Sequence, residues 1–157
     1  MTAHLVPRTA LRPAGAEDFD YCAGLYFEGM ENIIKKLNLN MDAQPAGFRQ
    51  RWDEAQVRIT TLDWTDIGWF QSFVKEGALF LAQLFVDRAL RGQGIGTAVV
   101  KALIEEAARA DRALTLGVVK TNPALRLYER LGFHVTHEDE RKFYMRRDLQ
   151  LDSEGVI

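Results

Sequence analysis

The sequence is short of several things, and each shortage removes a class of explanation. There is one cysteine, Cys22, in 157 residues, so no internal disulfide can form and a reducing compartment suits the chain. No Cys-His-acid pattern surrounds Cys22, which reads as a small helix residue rather than a nucleophile. The formal net charge is only −2, which argues against a general nucleic-acid or anionic-membrane binder. No apolar run reaches membrane-spanning length and no signal-peptide pattern is present, so a cytoplasmic protein is expected. His4, His134 and His137 have no ligand spacing, so no metal is expected. Internal repeats and low-complexity segments are also missing. What remains is the length of one domain and an ordinary hydrophobic share of 47%. A single domain over residues 1–150 is expected, followed by a loose tail from Leu151 to Ile157.

What is present is concentrated between Leu84 and Ala107. Leu84, Phe85 and Val86 form an apolar run of the strand type, while Ile95, Val99, Ala102, Leu103 and Ala107 recur at helical spacing. Between them lie alternate glycines, Gly92, Gly94 and Gly96, which permit positive φ and let backbone N–H groups approach a ligand. Those donors and the positive end of the helix dipole suit an anion, and Arg91 adds a guanidinium able to grip phosphate. Two familiar phosphate sites are excluded by what the loop lacks. Gly96 is followed by Thr97 and Ala98 rather than by lysine and a hydroxyl residue, so this is no P-loop. The third glycine of a dinucleotide fingerprint would fall on Val99 or Thr97, so a Rossmann turn fits poorly. From the residues alone, the loop is either an anion site or a bare glycine turn.

The rest of the chain supplies a mixed α/β pattern. LVPRTALRPA offers a first strand, and Ala14 to Met30 reads as a turn and a helix with Phe19, Cys22, Leu25, Tyr26 and Met30 on one face. Helical pattern resumes over Asn32 to Leu37, breaks from Asn38 to Pro45, and restarts from Gly47 to Gln56. Lys35 and Lys36, with the charges from Arg49 to Glu54, read as solvated faces. Val57, Ile59 and Thr61 alternate as a strand, Asp63 to Asp66 is expected to turn, and Ile67 to Val74 forms the next strand. Trp64, Trp69 and Phe70 are expected to pack in the core or on a sheet face. After a turn at Lys75-Glu76-Gly77, Ala78 to Val86 leads into the glycine loop, so an antiparallel meander is expected. The helix from Ile95 to Ala110 and the strand at Leu114, Leu116 and Val118 then imply a parallel crossover. Asn122, Pro123 and Gly132 mark the cap, first residue and end of a short helix whose face carries Ala124, Leu127, Tyr128 and Leu131. Phe133 to Val135 and Lys142 to Arg146 are expected as a last antiparallel pair.

Two blocks together resemble a known family. Arg91-x-x-Gly94-x-Gly96, preceded by Val86 and followed by an Ala/Val/Leu-rich helix, resembles the acetyl-CoA signature of the GNAT acetyltransferases. Lys120-Thr-Asn122-Pro-Ala124-Leu-Arg-Leu-Tyr128-Glu-Arg-Leu-Gly132-Phe133 resembles the family's second cofactor motif. The resemblance implies the GNAT fold, a mixed, mostly antiparallel sheet with a splayed parallel pair in its middle and helices on both faces. It also implies transfer of an acetyl group from acetyl-CoA to a primary amine of a small molecule or peptide. Carried onto this sequence, backbone groups of Leu84, Phe85 and Val86 would hold the pantetheine arm, with the Val86 N–H toward the thioester carbonyl. Arg91, Gly92, Gln93, Gly94, Ile95, Gly96 and Thr97 would hold the pyrophosphate, and Asn122 would contact the pantetheine beside Ala124. Tyr128 matches the tyrosine that protonates the leaving thiolate; its other reading is a packed aromatic whose hydroxyl bonds the backbone. Many members carry a glutamate on the strand before the loop, but this chain has Ala82, Gln83 and Leu84 there. The base candidates are therefore Glu28 or Glu31, a water held by Gln83, or none. The same fold serving as a non-catalytic CoA binder is the alternative. Homodimers occur in the family, but no residue pattern here specifies one.

Overall fold

The computed structural model describes residues 8–36 and 44–150. Among them, seven strands are β1 (Thr9–Pro13), β2 (Val57–Leu62), β3 (Thr65–Lys75), β4 (Ala78–Val86), β5 (Leu114–Val119), β6 (His134–Glu138) and β7 (Lys142–Arg147). The α-helices are α1 (Phe19–Lys36), α2 (Gln44–Arg51), α3 (Ile95–Arg109) and α4 (Ala124–Arg130). One mixed sheet has the order β1-β2-β3-β4-β5-β7-β6. Its parallel pair, β4 with β5, has Leu79 opposite Leu114 and Leu81 opposite Leu116, a register that occupies the first half of β4. Residues 83–86 run on beyond that paired stretch.

The expected elements are present, with shifted boundaries. α1 is one helix through Met30 and Asn32, preceded by a short 3-10 turn at Ala16–Asp18. The second helical segment starts earlier than its periodicity suggested, at Gln44, and stops at Arg51; Asp53 then caps a 3-10 turn through its own side chain. The expected break from Asn38 to Pro45 lies mostly outside the described residues, as does the tail from Leu151. The β2–β3 turn is tighter than expected. Leu62 pairs directly with Thr65, leaving Asp63 and Trp64 at φ of 50° and 71° as a two-residue turn of the kind that matches strand twist. Trp64 consequently stands at the tip and is 96% exposed, contrary to the packed position expected of it. Trp69 and Phe70 are fully buried, as expected.

Backbone contacts divide the described chain into two units, with β3 and β4 contributing to both. Residues 8–71 with 83–96 form the first unit. Its core is aromatic: Tyr26 and Phe48 have ring centroids 4.6 Å apart, Phe48 meets Trp69 edge-on at 5.9 Å, and Trp69 stacks on Phe85 at 5.4 Å. Arg12 on β1 donates to both carboxylate oxygens of Asp18 and to Asp66, joining β1, the entry to α1 and β3. Buried Gln71 donates to the Arg51 carbonyl and to Gln56, anchoring the chain that follows α2.

Residues 72–82 with 97–150 form the second unit. The stripe Ala98, Val99, Leu103 and Ala107 on α3 is buried, and so are Leu114, Leu116 and Val118 on one face of β5. α3 ends on Asp111 in the left-handed region, with Arg112 N–H donating to the Ala107 carbonyl and Asp111 N–H to that of Ala108.

Candidate active site

The end of β4 is held by its neighbours in the first unit. The Phe85 ring lies in the aromatic core, against Trp69 and against Tyr26 at 5.5 Å. Its backbone lies hard against β3: a Cβ on Gly68 would stand 2.5 Å from the Phe85 carbonyl oxygen and 3.3 Å from Val86 Cα. The Phe85–Val86 backbone thus comes closer to residue 68 than a side chain there would allow. β3 is irregular at the same place, since Thr60 pairs with Gly68 and Thr61 with Asp66, leaving Ile67 as an extra residue. Asp87 N–H then donates to the Ile67 carbonyl at 2.7 Å. Gly68 was not among the candidates read from sequence, although an isolated glycine in an apolar strand is a signal for close backbone approach.

The loop after β4 has the form expected of an anion site. Asp87 caps a 3-10 turn at Arg88–Leu90, and the chain passes through Gly92 and Gly94 at φ of 81° and 82° into α3, which begins at Ile95. Only two of the three glycines use positive φ. Gly96 lies inside the first turn of α3, where an added Cβ would meet only Val86 Cγ2 at 4.0 Å. Nothing lies within 4 Å of the Cβ positions of Gly92 and Gly94, so the space above the loop is open. The first N–H groups of α3 have no acceptor within the helix. Backbone donors, a helix N-terminus and room for a ligand therefore coincide, and the residues fit a diphosphate.

Arg91 is the loop's fixed cation. Its Nε donates to the Val86 carbonyl at 3.1 Å, and its Nη2 lies 3.9 Å from Glu28 Oε1. Glu28 also pairs with Arg88, at 3.5 Å. The first base candidate thus faces two guanidiniums. Glu31, one turn further along α1, is exposed.

In the second unit, Tyr128 is fixed by how α4 ends. Asn122 Oδ1 accepts the Ala124 N–H at 2.9 Å and Pro123 already has helical dihedrals, so the expected capping contact forms, although α4 itself begins at Ala124, one residue later than expected. At the other end Gly132 takes φ of 98°, its N–H donates to the Glu129 carbonyl, and Phe133 N–H donates to the Tyr128 carbonyl. This 6→1 and 5→2 pair is a Schellman motif, whose usual apolar contact is made here by the Tyr128 and Phe133 rings, 5.8 Å apart and edge-on. Backbone and ring of Tyr128 are both clamped. Its hydroxyl has no hydrogen-bond partner among the described residues, so the alternative role of bonding the backbone is not what the structure displays. Burial pushes its phenol above the usual tyrosine range.

Cys22 is fully buried in the first unit, and burial pushes its thiol up to about 12, which fits a packing role. His134 and His137 are exposed on β6. Among the described residues, no three His, Cys, Asp or Glu side chains group as metal ligands, and no helix is long and apolar enough to cross a membrane.

A family model described as the acetyltransferase (GNAT) family matches residues 39–133. The chain belongs to this family. Among curated relatives, an uncharacterized N-acetyltransferase of Methanocaldococcus jannaschii is 39% identical over 70 residues, covering 43% of this chain and 31% of that protein. The spermine/spermidine N(1)-acetyltransferase of Bacillus subtilis is 34% identical over 67 residues, covering 41% of this chain and 44% of that protein. The chain spans less than half the length of the curated relatives it matches. The PaiA N-acetyltransferase of Thermoplasma acidophilum, solved in complex with coenzyme A, shares the GNAT fold, with a TM-score of 0.73 at 15% identity over 89% of this chain and 98% of that one. The mixed sheet with one parallel pair is thus the GNAT sheet expected from the two motifs.

Proposed function

We propose that this GNAT chain is an acetyl-CoA-dependent N-acetyltransferase acting on a primary amine. The observation that carries the reading is the loop from Arg91 to Thr97, where two left-handed glycines open an unobstructed space onto the first turn of α3. Acetyl-CoA supplies an activated acyl group, and its transfer exchanges a C–S bond for a C–N bond, with a thiolate to be protonated and an ammonium proton to be lost. On this reading the N–H groups from Arg91 to Thr97 bind the diphosphate, Leu84 to Val86 offer backbone groups to the pantetheine arm, and Val86 N–H donates to the developing oxyanion. The resemblance of the second motif to the family's assigns Asn122 and Ala124 to the pantetheine as well. Tyr128 Oη donates its proton to the departing sulfur. Its raised pKa keeps that proton in place across the physiological range, and its lack of an internal partner leaves the hydroxyl available. We do not assign Glu28 as the base, because it is already paired with Arg88 and Arg91. Glu31, a water held by Gln83, or an amine that arrives neutral would then take that part. The name of the Bacillus subtilis relative supports an amine acceptor.

The test is release of free CoA from acetyl-CoA in the presence of pooled primary amines, with Tyr128→Phe run alongside. The wild type should release CoA above the no-acceptor rate. The variant should lose about 10²-fold or more in turnover, as removal of a general acid does, while calorimetric affinity for acetyl-CoA changes little. Equal turnover in the variant would remove the Tyr128 assignment. Binding without release from any amine pool would favour the non-catalytic CoA binder, and a chain unable to bind acetyl-CoA would overturn the proposal.

A further inference from the structure

One carboxylate of α1 gathers two guanidiniums at the glycine loop. Glu28 Oε1 lies 3.5 Å from Arg88 Nε and 3.9 Å from Arg91 Nη2, and no other acid in the described structure pairs with either arginine. The approach is tight on the helix side. The next residue of α1 is Gly29, where a Cβ would stand 3.0 Å from Phe85 Cδ1 and 3.9 Å from Arg91 Nη2. Glu28, Arg88, Arg91 and the end of β4 therefore form one cluster within the first unit.

The donors left over reveal what the cluster offers. A guanidinium has five N–H donors in a fixed plane. Arg91 donates Nε–H to the Val86 carbonyl, while its Nη2 and the Nε of Arg88 face Glu28 Oε1 at ion-pair distance, beyond hydrogen-bond length or alignment. Arg91 Nη1 and both Nη atoms of Arg88 have no partner among the described residues. Arg88 is 71% exposed and Arg91 43%, so an anion can reach both from solvent without displacing Glu28. Two cations repel each other, and the shared carboxylate offsets that repulsion while leaving the trio with a net charge of +1. The pairing biases Arg88 toward the loop to the modest extent that an exposed ion pair can.

The geometry points to Arg88 as a second ligand for the cofactor's diphosphate, and to Glu28 as the positioning residue that holds Arg88 and Arg91 to it. This rests on the reading of the loop as a CoA site, and it takes Glu28 out of the proton chemistry. Glu28 acts through the arginines, so its loss should be felt in cofactor affinity and should cost less once Arg88 is gone, when only Arg91 is left for it to hold.

Calorimetry with CoA and with 3′-dephospho-CoA tests this, the second probe keeping the diphosphate and lacking the 3′-phosphate. Arg88→Gln should weaken both probes about fivefold or more, the loss expected of one charge-assisted contact. Glu28→Gln should weaken both by a similar factor, and Glu28→Gln with Arg88→Gln by less than the product of the two single losses, the remainder being the hold of Glu28 on Arg91. In the acetyl-transfer assay, Glu28→Gln should raise the KM for acetyl-CoA and leave the acid limb of the kcat–pH profile in place. Tighter CoA binding by Glu28→Gln, strictly additive losses in the double variant, or loss of the acid limb with KM unchanged would overturn the assignment. Unchanged affinities in variants of a CoA-binding wild type would overturn it alone. A wild type with no affinity for CoA would overturn the loop reading as well.

Discussion

Substituting Gly68 by alanine adds one methyl group, and the structure places that methyl where two strand backbones already touch. The new Cβ would lie 2.5 Å from the Phe85 carbonyl oxygen and 3.3 Å from Val86 Cα. Carbon-to-oxygen contacts across a sheet ordinarily close to about 3.3 Å, so the strands must part by roughly 0.8 Å. The obstacle is backbone, which cannot rotate away as a long side chain would. Overpacking costs about 1–3 kcal/mol, and a backbone obstacle argues for the upper end. At about 2–4 °C of Tm per kcal/mol for a chain of this size, Gly68→Ala should melt roughly 6–12 °C below wild type. Because the part displaced is Phe85–Val86, acetyl-CoA affinity and turnover should fall as well. Gly24→Ala is the matched control. Gly24 lies within α1 with nothing inside 4 Å of its Cβ position, so the same substitution should stabilise by about 0.5–1 kcal/mol. Scanning calorimetry on the two variants, with acetyl-CoA titrations, reads both effects. A Gly68→Ala protein that melts with the wild type and binds acetyl-CoA equally well would refute the argument from close approach. So would equal shifts of one sign in both variants.

Two further outcomes follow from buried groups of the first unit. The Arg12 guanidinium, with help from the Gly15 N–H, holds the buried Asp18 carboxyl below the usual carboxylate range against the opposing effect of burial. A depressed folded pKa gives stability that is complete above the ordinary aspartate value of about 4 and is lost as pH falls through the folded value. Arg12→Met should cost about 3 kcal/mol near neutrality by stranding that carboxylate. Its Tm should also decline less steeply than wild type on acidification below about pH 4; parallel acid limbs would contradict this. Cys22 is 0% exposed with its thiol pushed up to about 12, so a disulfide reagent at about pH 8 should label it only as fast as the protein opens. Rapid stoichiometric labelling of the native protein would contradict the buried position.

How much of this was legible in the sequence depended on how local the cause was. The end of α4 was readable because cap, stop and contact all lie between Asn122 and Phe133; even the Tyr128–Phe133 ring contact belongs to that motif. The glycine loop was readable for the same reason, although Gly96 serves inside the helix and not as a left-handed residue. The Asp63-Trp64 turn is hidden in the sequence because neither residue is the glycine or asparagine that usually marks such a turn, so nothing there separates Thr65 and Asp66 from the loop. Only the strand register shows that Trp64 must stand at the tip.

The non-local features were out of reach in a more basic way. Gly68 announces that something comes close, but nothing in its neighbourhood says that the partner is Phe85, and hence that the glycine shapes the strand end leading into the loop. In the sequence Glu28 is a base candidate on no stronger ground than Glu31, three residues further on. Its partners lie about 60 residues downstream, on a turn whose arginine at position 88 has no meaning until α1 is seen beside it. The fold adds what the sequence could not: Glu28 stands 3.5 Å from one guanidinium and 3.9 Å from another, the position of a residue that holds cations in place. A sequence motif can mark the glycine loop, but which charges gather beside it is decided by the packing of α1 against the end of β4.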